Sequence, residues 1–233
     1  MSLRQKIREQ HSNIGSKLRD FILGWQDGLV NVLGIVLGVA VATTSTKIVL
    51  ISGLAATFAE SVSMAAVAYT STKAERDYYN RQLETEKREI SDIPDIERKE
   101  IRDIYFAKGF SGRQLANIVK KITSSKKLWL ETMMSEELGL SKDHKKPGKS
   151  AVVVGLSAFV GSLFPLLPFF FLSPIAGVIP ALVLSVAVLF ALGAAKAKVT
   201  VGNWLKSGAE IAVIGLAAAL IGYVLGYGLG LAI

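Results

Sequence analysis

The sequence predicts an all-α membrane protein with five transmembrane helices and a cytosolic helical insert between the second and the third. Two observations predict this class. Hydrophobic residues make up 51% of the 233 residues, which is high for a soluble domain. They are also concentrated in residues 26–70 and 150–233, whereas residues 73–149 carry most of the charge. The two ends of the chain therefore require lipid, and the middle requires water.

Five apolar segments are each long enough to cross the hydrocarbon core, which takes about 20 helical residues. They lie near residues 26–45, 47–70, 150–172, 175–195 and 209–231. The linkers after the first and third segments are short, so we expect each of these segments to form a hairpin with the next one.

These spans divide the chain into four parts. Residues 1–24 form an amphipathic cytosolic lead-in, and residues 25–72 contain the first two spans. Residues 73–149 form a charged cytosolic helical domain that resembles a metal-binding domain, and residues 150–233 contain the last three spans. No apolar core with a small-residue cleavage site follows the N-terminal charges, so we expect no cleaved signal peptide.

The basic residues predict the orientation of the chain in the membrane. Of the 27 Lys and Arg residues, 26 fall in residues 1–24, 73–149 and 196–206. With five spans, these three segments all lie on the same side of the membrane. The positive-inside rule then puts the N-terminus and the 73–149 domain in the cytosol and the C-terminus on the far side. The membrane would be the plasma membrane in a prokaryote and a vacuole-like membrane in a eukaryote. The net charge of +8 reflects this bias, and we expect no nucleic-acid partner.

Composition limits the chemistry that a metal site can use. The chain has no cysteine and only two histidines, both outside the apolar runs. Any metal ligands must therefore be carboxylates, methionine sulfur, backbone or water. No Glu-x-x-His pair is present, which argues against an enzyme built on a di-iron site. We expect neither an enzyme nor a prosthetic group.

Four residues in the first two spans are candidate cation ligands. Glu60 lies near the middle of the second span, where a carboxylate costs about 3 kcal/mol even on insertion scales. It therefore needs a partner, a cavity or a proton, and it is either functional or a structural hydrogen-bonded group. Asp27 opens the first span with Asn31 one turn later, although Asp27 could simply cap the helix. Met64 follows Glu60 by one turn and could bind a soft metal.

Glycines of the fifth span predict close helix packing. Gly222 and Gly226 have the GxxxG spacing, which lets two helices approach closely in lipid. The pattern does not distinguish packing within one subunit from packing at a dimer interface.

Residues 71–138 predict four helical segments. The first, residues 71–92, continues the second span until Pro94, and the others cover about 95–107, 112–123 and 126–138. Two glutamate pairs spaced i,i+3 lie on either side of Pro94, and the last helix adds two methionines and a glutamate. These candidate metal ligands are Glu86, Glu89, Glu97, Glu100, Met133, Met134 and Glu137. Alternatively, the glutamates form a solvated face that neighbouring Arg and Lys residues neutralise.

Several motifs along the chain resemble those of the vacuolar iron transporter family, which includes a yeast vacuolar carrier and plant nodulin-like proteins. They are residues 27–30 (DGLV), residues 63–65 (SMA), Met133 and Met134 with residues 137–140 (ELGL), residues 165–168 (PLLP), and the glycines from 215 to 230. The resemblance covers nearly the whole chain after about residue 20. The order and spacing of the motifs are more specific than any one of them.

The resemblance implies that the chain exchanges cytosolic Fe²⁺, and often Mn²⁺, for protons from the far side. It also implies a homodimer with a metal pathway near its axis, lined at the positions of Asp27 and Met64. It assigns metal capture to the seven residues of the 73–149 domain named above. One departure is Ala56, because plant-like members carry a glutamate there; Glu60, one turn later, is expected to replace it.

We therefore expect a proton-coupled antiporter that moves Fe²⁺ or Mn²⁺ out of the cytosol, with the metal as substrate. Asp27, Asn31, Glu60 and Met64 would form the transport pathway in the lipid bilayer. The alternative is a membrane-anchored protein that binds or senses divalent metals without transporting them.

Overall fold

The structure, a computed structural model, describes residues 3–141, 146–200 and 202–232, with side chains from residue 15 to residue 228 within these ranges. Every secondary-structure element in the described ranges is helical. The α-helices are α1 (Leu3–Ala42), α2 (Thr46–Asp92), α3 (Pro94–Ala107), α4 (Gly112–Thr123), α5 (Lys126–Thr132), α6 (Pro147–Leu163), α7 (Pro174–Val199) and α8 (Trp204–Ala232). A π-helical segment (Met133–Glu137) follows α5, and a 3-10 helix (Phe164–Phe170) follows α6.

The chain divides into two compact units. Residues 1–70 and 145–233 form the membrane unit, and residues 71–144 form the helical unit. Helix α2 contributes to both units, because it runs for 47 residues without interruption. It ends where expected, since Pro94 opens α3 and the preceding Ile93 has non-helical dihedral angles.

Five helical stretches are long and apolar enough to span a membrane, as predicted. They are Gly15–Ala42, Thr46–Asp92, Pro147–Phe170, Pro174–Val199 and Trp204–Gly228. The first begins earlier than expected, because α1 continues without a break through the lead-in. Large apolar side chains on these helices, such as Val62 (68% exposed) and Ile179 (71% exposed), are accessible as expected for surfaces in contact with lipid.

Helix α1 lies at the centre of the membrane unit, where it packs against α6, α7 and α8. Its residues Val32, Leu33 and Val36 are fully buried together with Leu166 and Phe169. The 3-10 helix that carries Leu166 and Phe169 begins at Phe164, next to Pro165, which has no N–H to continue the α-helical hydrogen bonds of α6.

Glycines make the contact between α1 and α8 possible. A Cβ atom added at Gly222 would collide with the carbonyl oxygen of Gly34, and one added at Gly226 would collide with that of Gly38. The GxxxG pair thus packs against a helix of the same chain, which is one of the two arrangements that the spacing predicts.

The helical unit has its own hydrophobic core. It is formed by Ile90 of α2, Ile101 of α3, Leu115, Val119 and Ile122 of α4, Trp129 of α5, and Met133. Ser125 caps α5 by accepting a hydrogen bond from the Leu128 N–H at 3.4 Å. Ser111 occupies the N-cap position of α4, but its side chain makes no capping hydrogen bond.

The last predicted helix of this unit differs from the expected α-helix. The chain is α-helical up to Thr132 and then widens into the π-helical segment Met133–Glu137. The Leu138 N–H donates to the Met133 carbonyl five residues back, at 3.2 Å, instead of four. Gly139, with φ of +64°, ends the segment in the left-handed conformation that glycine adopts without strain.

Candidate metal sites

Two glutamates of the helical unit are buried because each precedes a core isoleucine by one helical turn. Glu86 lies one turn before Ile90 on α2, and Glu97 lies one turn before Ile101 on α3. The glutamate side chains are only 4% and 3% exposed. Burial of a carboxylate is costly unless it is paired with a cation, protonated or hydrogen-bonded.

Neither buried carboxylate has its hydrogen-bonding capacity filled. Among the described residues, the Oε2 atom of Glu86 and that of Glu97 are buried and accept no hydrogen bond. Buried polar atoms in proteins nearly always have a partner, so such atoms call for an explanation. Oxygen atoms of this kind are suitable ligands for a hard or borderline cation.

All five glutamates predicted in the helical unit interact with one another electrostatically. Burial, followed by the negative charges of Glu137, Glu89 and Glu100, raises the pKa of Glu86 from 4.5 to about 7. Burial, followed by the charges of Glu100, Glu86, Glu137 and Glu89, raises the pKa of Glu97 to about 7 as well. The structure therefore brings the two predicted pairs and Glu137 within interaction range.

Glu137 belongs to the same cluster, although its side chain is largely accessible to solvent. Partial burial, followed by the charges of Glu100 and Glu89, raises its pKa. The π-helical segment that carries Glu137 also packs against α3. Segments of this type occur frequently at functional sites, because the widened turn re-aims side chains.

The two predicted methionines lie in this π-helical segment and are buried. Met133 is fully buried in the core with Ile101 and Trp129, and Met134 is 2% exposed. Met133 therefore contributes to packing whether or not its sulfur binds a metal.

The five glutamates are not neutralised by neighbouring basic residues in the described part of the chain. The ion pairs formed there join Arg76 to Asp77, Lys87 to Glu84, Arg98 to Asp95 and Lys108 to Glu136. In these ranges the five glutamates therefore do not form the i,i+4 ion pairs that the alternative interpretation requires.

The glutamates interact at a distance and do not form a closed coordination shell. Among the described residues, no three carboxyl or imidazole groups approach closely enough to hold one ion between them. Binding of an ion would thus require the glutamate side chains to rotate inward, which their flexible dihedral angles allow.

The membrane unit brings together three of the four residues predicted in the spans. The side chain of Glu60 on α2 lies within hydrogen-bonding reach of Asp27 and Asn31 on α1. Asp27 and Glu60 are half-buried, and Asn31 is exposed. Met64 is half-buried one turn further along α2. Two carboxyl groups and an amide in one place offer several oxygen ligands to a cation, or a place for a shared proton.

Sequence reasoning missed two features of these sites. Asp20 is 7% exposed, and the Ser150 hydroxyl donates a 2.7 Å hydrogen bond to its Oδ2 atom. The sequence spacing could have indicated this residue, because Asp20 precedes Asp27 by seven residues and the two therefore lie on the same face of one helix. The second is that residues 86–90 (EKREI) and 97–101 (ERKEI) share one pattern, which predicts that Glu86 and Glu97 are buried alike.

Comparison with known proteins gives a consistent result. A sequence model of the VIT family matches residues 18–227. The chain is 33% identical over 219 residues to a vacuolar iron transporter of Centaurea cyanus, covering 93% of this chain and 89% of the relative. It is 35% identical over 213 residues to vacuolar iron transporter 2 of Oryza sativa subsp. japonica, covering 90% and 86%. It is 32% identical over 219 residues to vacuolar iron transporter 1 of Arabidopsis thaliana, covering 93% and 88%.

Proposed function

Because the chain belongs to the VIT family, whose members are membrane transporters and not enzymes, we propose that it is a proton-coupled antiporter that moves Fe²⁺ or Mn²⁺ out of the cytosol. The single observation that carries this proposal is the pair of buried carboxylates of Glu86 and Glu97, each with an Oε2 atom that accepts no hydrogen bond from the described residues. The names of the relatives support iron as the substrate.

Capture of the ion is assigned to the glutamate cluster. Carboxylate oxygens attract any divalent cation, but the buried thioethers of Met133 and Met134 favour a borderline transition metal over Mg²⁺ or Ca²⁺. Glu89, Glu100 and Glu137 contribute further negative charge to the two buried carboxylates. Inward rotation of these side chains onto the ion would neutralise their mutual repulsion.

Passage across the bilayer is assigned to Asp27, Asn31, Glu60 and Met64. An ionised carboxylate in hydrocarbon is stabilised by a bound cation, and without the cation it is stabilised by a proton. Glu60 and Asp27 lie close enough to share either one. Exchange of the metal for protons at these carboxyl groups would couple the two fluxes in opposite directions.

The low burial of α2 supports a homodimer. Its most apolar stretch is 17% buried within the chain, compared with 28–44% for the other four spans. This is also the helix that carries Glu60 and Met64. A second copy that covers α2 would exclude lipid from these polar side chains and enclose the pathway.

The distribution of Lys and Arg supports an orientation with the helical unit and the N-terminus in the cytosol. In this orientation the glutamate cluster faces the compartment from which the metal is taken. A plasma membrane in a prokaryote, or a vacuole-like membrane in a eukaryote, would be the site of action.

Flux measurements in proteoliposomes test the proposal. We expect Fe²⁺ or Mn²⁺ uptake that requires an imposed pH gradient, with coupled proton movement in the opposite direction. Glu60→Gln should abolish the coupled flux, and Glu86→Gln with Glu97→Gln should reduce it at low metal concentration. Glu75→Gln is the matched control, because Glu75 is an exposed glutamate of α2 outside both clusters.

Two results would count against the proposal. Unchanged flux in Glu60→Gln would remove that residue from the pathway. Metal binding by the wild-type chain without any flux, under gradients of either direction, would favour a membrane-anchored metal-binding or sensing protein.

A further inference from the structure

A cleft of about 490 Å³ lies between α3 and α4 in the helical unit. Its charged walls are formed by Arg98, Lys99 and Arg102 of α3 and Lys120 of α4, and Asp95 is the only acidic residue among those that line it. Ala116 and Val119 of α4 provide apolar surface in the same cleft. The volume is within the range of small-molecule sites, about 300–1,000 Å³.

The cleft occupies a different face of α3 from the metal candidates. Residues 95, 98, 99 and 102 follow the i, i+3, i+4, i+7 spacing of one helical face. Glu97, by contrast, is buried with Ile101 toward the core of the unit. The basic face thus forms a feature that the metal cluster does not explain.

In the part of the chain that the structure describes, Arg98 is the one basic residue of the cleft with an acidic partner. The Arg98 guanidinium donates to Asp95 at 3.0 Å and lies 5.8 Å from the centre of the Trp129 ring, which holds it in place. Among the described residues, Lys99, Arg102 and Lys120 form no ion pair. These three side chains are exposed, so water and salt screen part of their mutual repulsion, and a bound anion would offset the rest.

Helix electrostatics explain only part of this arrangement. Lys120 lies in the last turn of α4, where the helix dipole favours a cation. Lys99 and Arg102 lie in the interior of α3, where the dipole gives no such benefit. The proposed orientation in the membrane accounts for an excess of basic residues in residues 73–149, whereas the convergence of Lys99, Arg102 and Lys120 on one cleft is a separate feature.

We propose that this cleft binds an anion that carries several phosphate groups. The planar guanidinium of Arg102 matches two oxygens of one phosphate, and the ammonium groups of Lys99 and Lys120 act as point charges for others. Either a soluble polyphosphate or a lipid headgroup with phosphomonoesters offers this chemistry. The site is independent of the transport proposal, because it shares no residue with the candidate metal sites.

Calorimetric titration of the full-length chain in detergent, after metals have been removed, tests the proposal. The soluble probe is tripolyphosphate, and the lipid probe is dioctanoyl phosphatidylinositol 4,5-bisphosphate. Dioctanoyl phosphatidylserine serves as a phosphodiester control. The cleft variant is Arg102→Gln with Lys120→Gln. The matched control is Lys126→Gln with Lys127→Gln, which removes the same charge from exposed positions outside the cleft.

We expect saturable binding of tripolyphosphate, of the inositol lipid or of both, weakened about tenfold or more in the cleft variant and within about twofold of wild type in the control. Binding of tripolyphosphate identifies a soluble ligand, and binding of the inositol lipid alone identifies a headgroup. The proposal is overturned if neither probe binds, if the control variant loses as much affinity as the cleft variant, or if phosphatidylserine binds equally well.

Discussion

The carboxyl group of Glu86 on α2 raises the pKa of Glu97 on α3, although a helix break at Pro94 separates the two residues in sequence. The charge of Glu86 is among the causes that raise the pKa of Glu97, after burial and the charge of Glu100. Both pKa values rise from 4.5 to about 7, which is close to neutral pH. The protonation state of the cluster is therefore sensitive to pH in the range in which cells operate.

The first prediction concerns the stability of the metal-free helical unit. A carboxyl group whose pKa is higher in the folded state binds more protons when folded, so the free energy of unfolding falls as the pH rises from about 4.5 to about 7. Above about pH 8 the penalty is complete, at roughly 3 kcal/mol or less for each group. We expect Glu86→Gln with Glu97→Gln to be more stable than wild type at pH 8 and similar to it at pH 4.5.

Denaturant unfolding followed by Trp129 fluorescence measures this difference, with Trp25 and Trp204 replaced by Phe so that Trp129 is the only tryptophan. Glu84→Gln is the control, since Glu84 is exposed and pairs with Lys87 at 2.6 Å. A wild-type chain that gains stability over the double variant between pH 5 and 7 would contradict the sign of the effect.

The second prediction concerns the pH dependence of metal binding. Glu86 and Glu97 must lose their protons to coordinate an ion, and their pKa values lie near 7. We expect the affinity for Mn²⁺ to rise about tenfold or more from pH 6 to pH 7 and to level off above about pH 8. Calorimetry in two buffers of different ionisation enthalpy should detect proton release at pH 6.5. An affinity that is constant over this range would exclude the two buried carboxylates as ligands.

The third prediction separates thioether ligation from packing. Met134→Leu keeps an apolar side chain of similar volume but removes the sulfur, so the unit should retain its fold. If the sulfur binds metal, the affinity for Fe²⁺ should fall by several-fold while weak Ca²⁺ binding stays the same. Ca²⁺ binding is the internal control, because Ca²⁺ prefers oxygen ligands and should not respond to loss of a thioether. Equal Fe²⁺ affinities for wild type and Met134→Leu would leave Met134 with a packing role alone.

The fourth prediction tests the contact between α1 and α8. Gly222→Ala places a methyl group against the Gly34 carbonyl, and we expect it to destabilise the membrane unit by about 1–3 kcal/mol. Gly228→Ala provides the matched control, because no atom lies within 4 Å of an added Cβ at that position. Thermal unfolding in detergent compares the two variants. Similar melting temperatures for both would indicate that the two helices are not in close contact.

Much of the architecture follows from local rules that the sequence displays directly. The five spans follow from long apolar runs, and the end of α2 follows from Pro94, whose ring is incompatible with a continuing helix. The burial of Glu86 and Glu97 was harder to predict, because it depends on tertiary packing of the neighbouring isoleucines. The approach of Glu60 to Asp27 and Asn31 depends likewise on how two helices pack, which spacing along one helix does not determine.

The direction in which the Glu137 side chain points depends on the widened turn at Met133–Glu137. It therefore depends on the pitch of this segment as well as on its residue types. If the same residues adopted an ordinary α-helical pitch, Glu137 would lie at a different angle around the helix axis relative to Met133, because a turn closed five residues back holds more than the 3.6 residues of an α-helical turn. Every side chain would remain in the protein, yet the glutamate would point elsewhere. Replacing residues one at a time would overlook this dependence, because it leaves the number of residues in the widened turn unchanged.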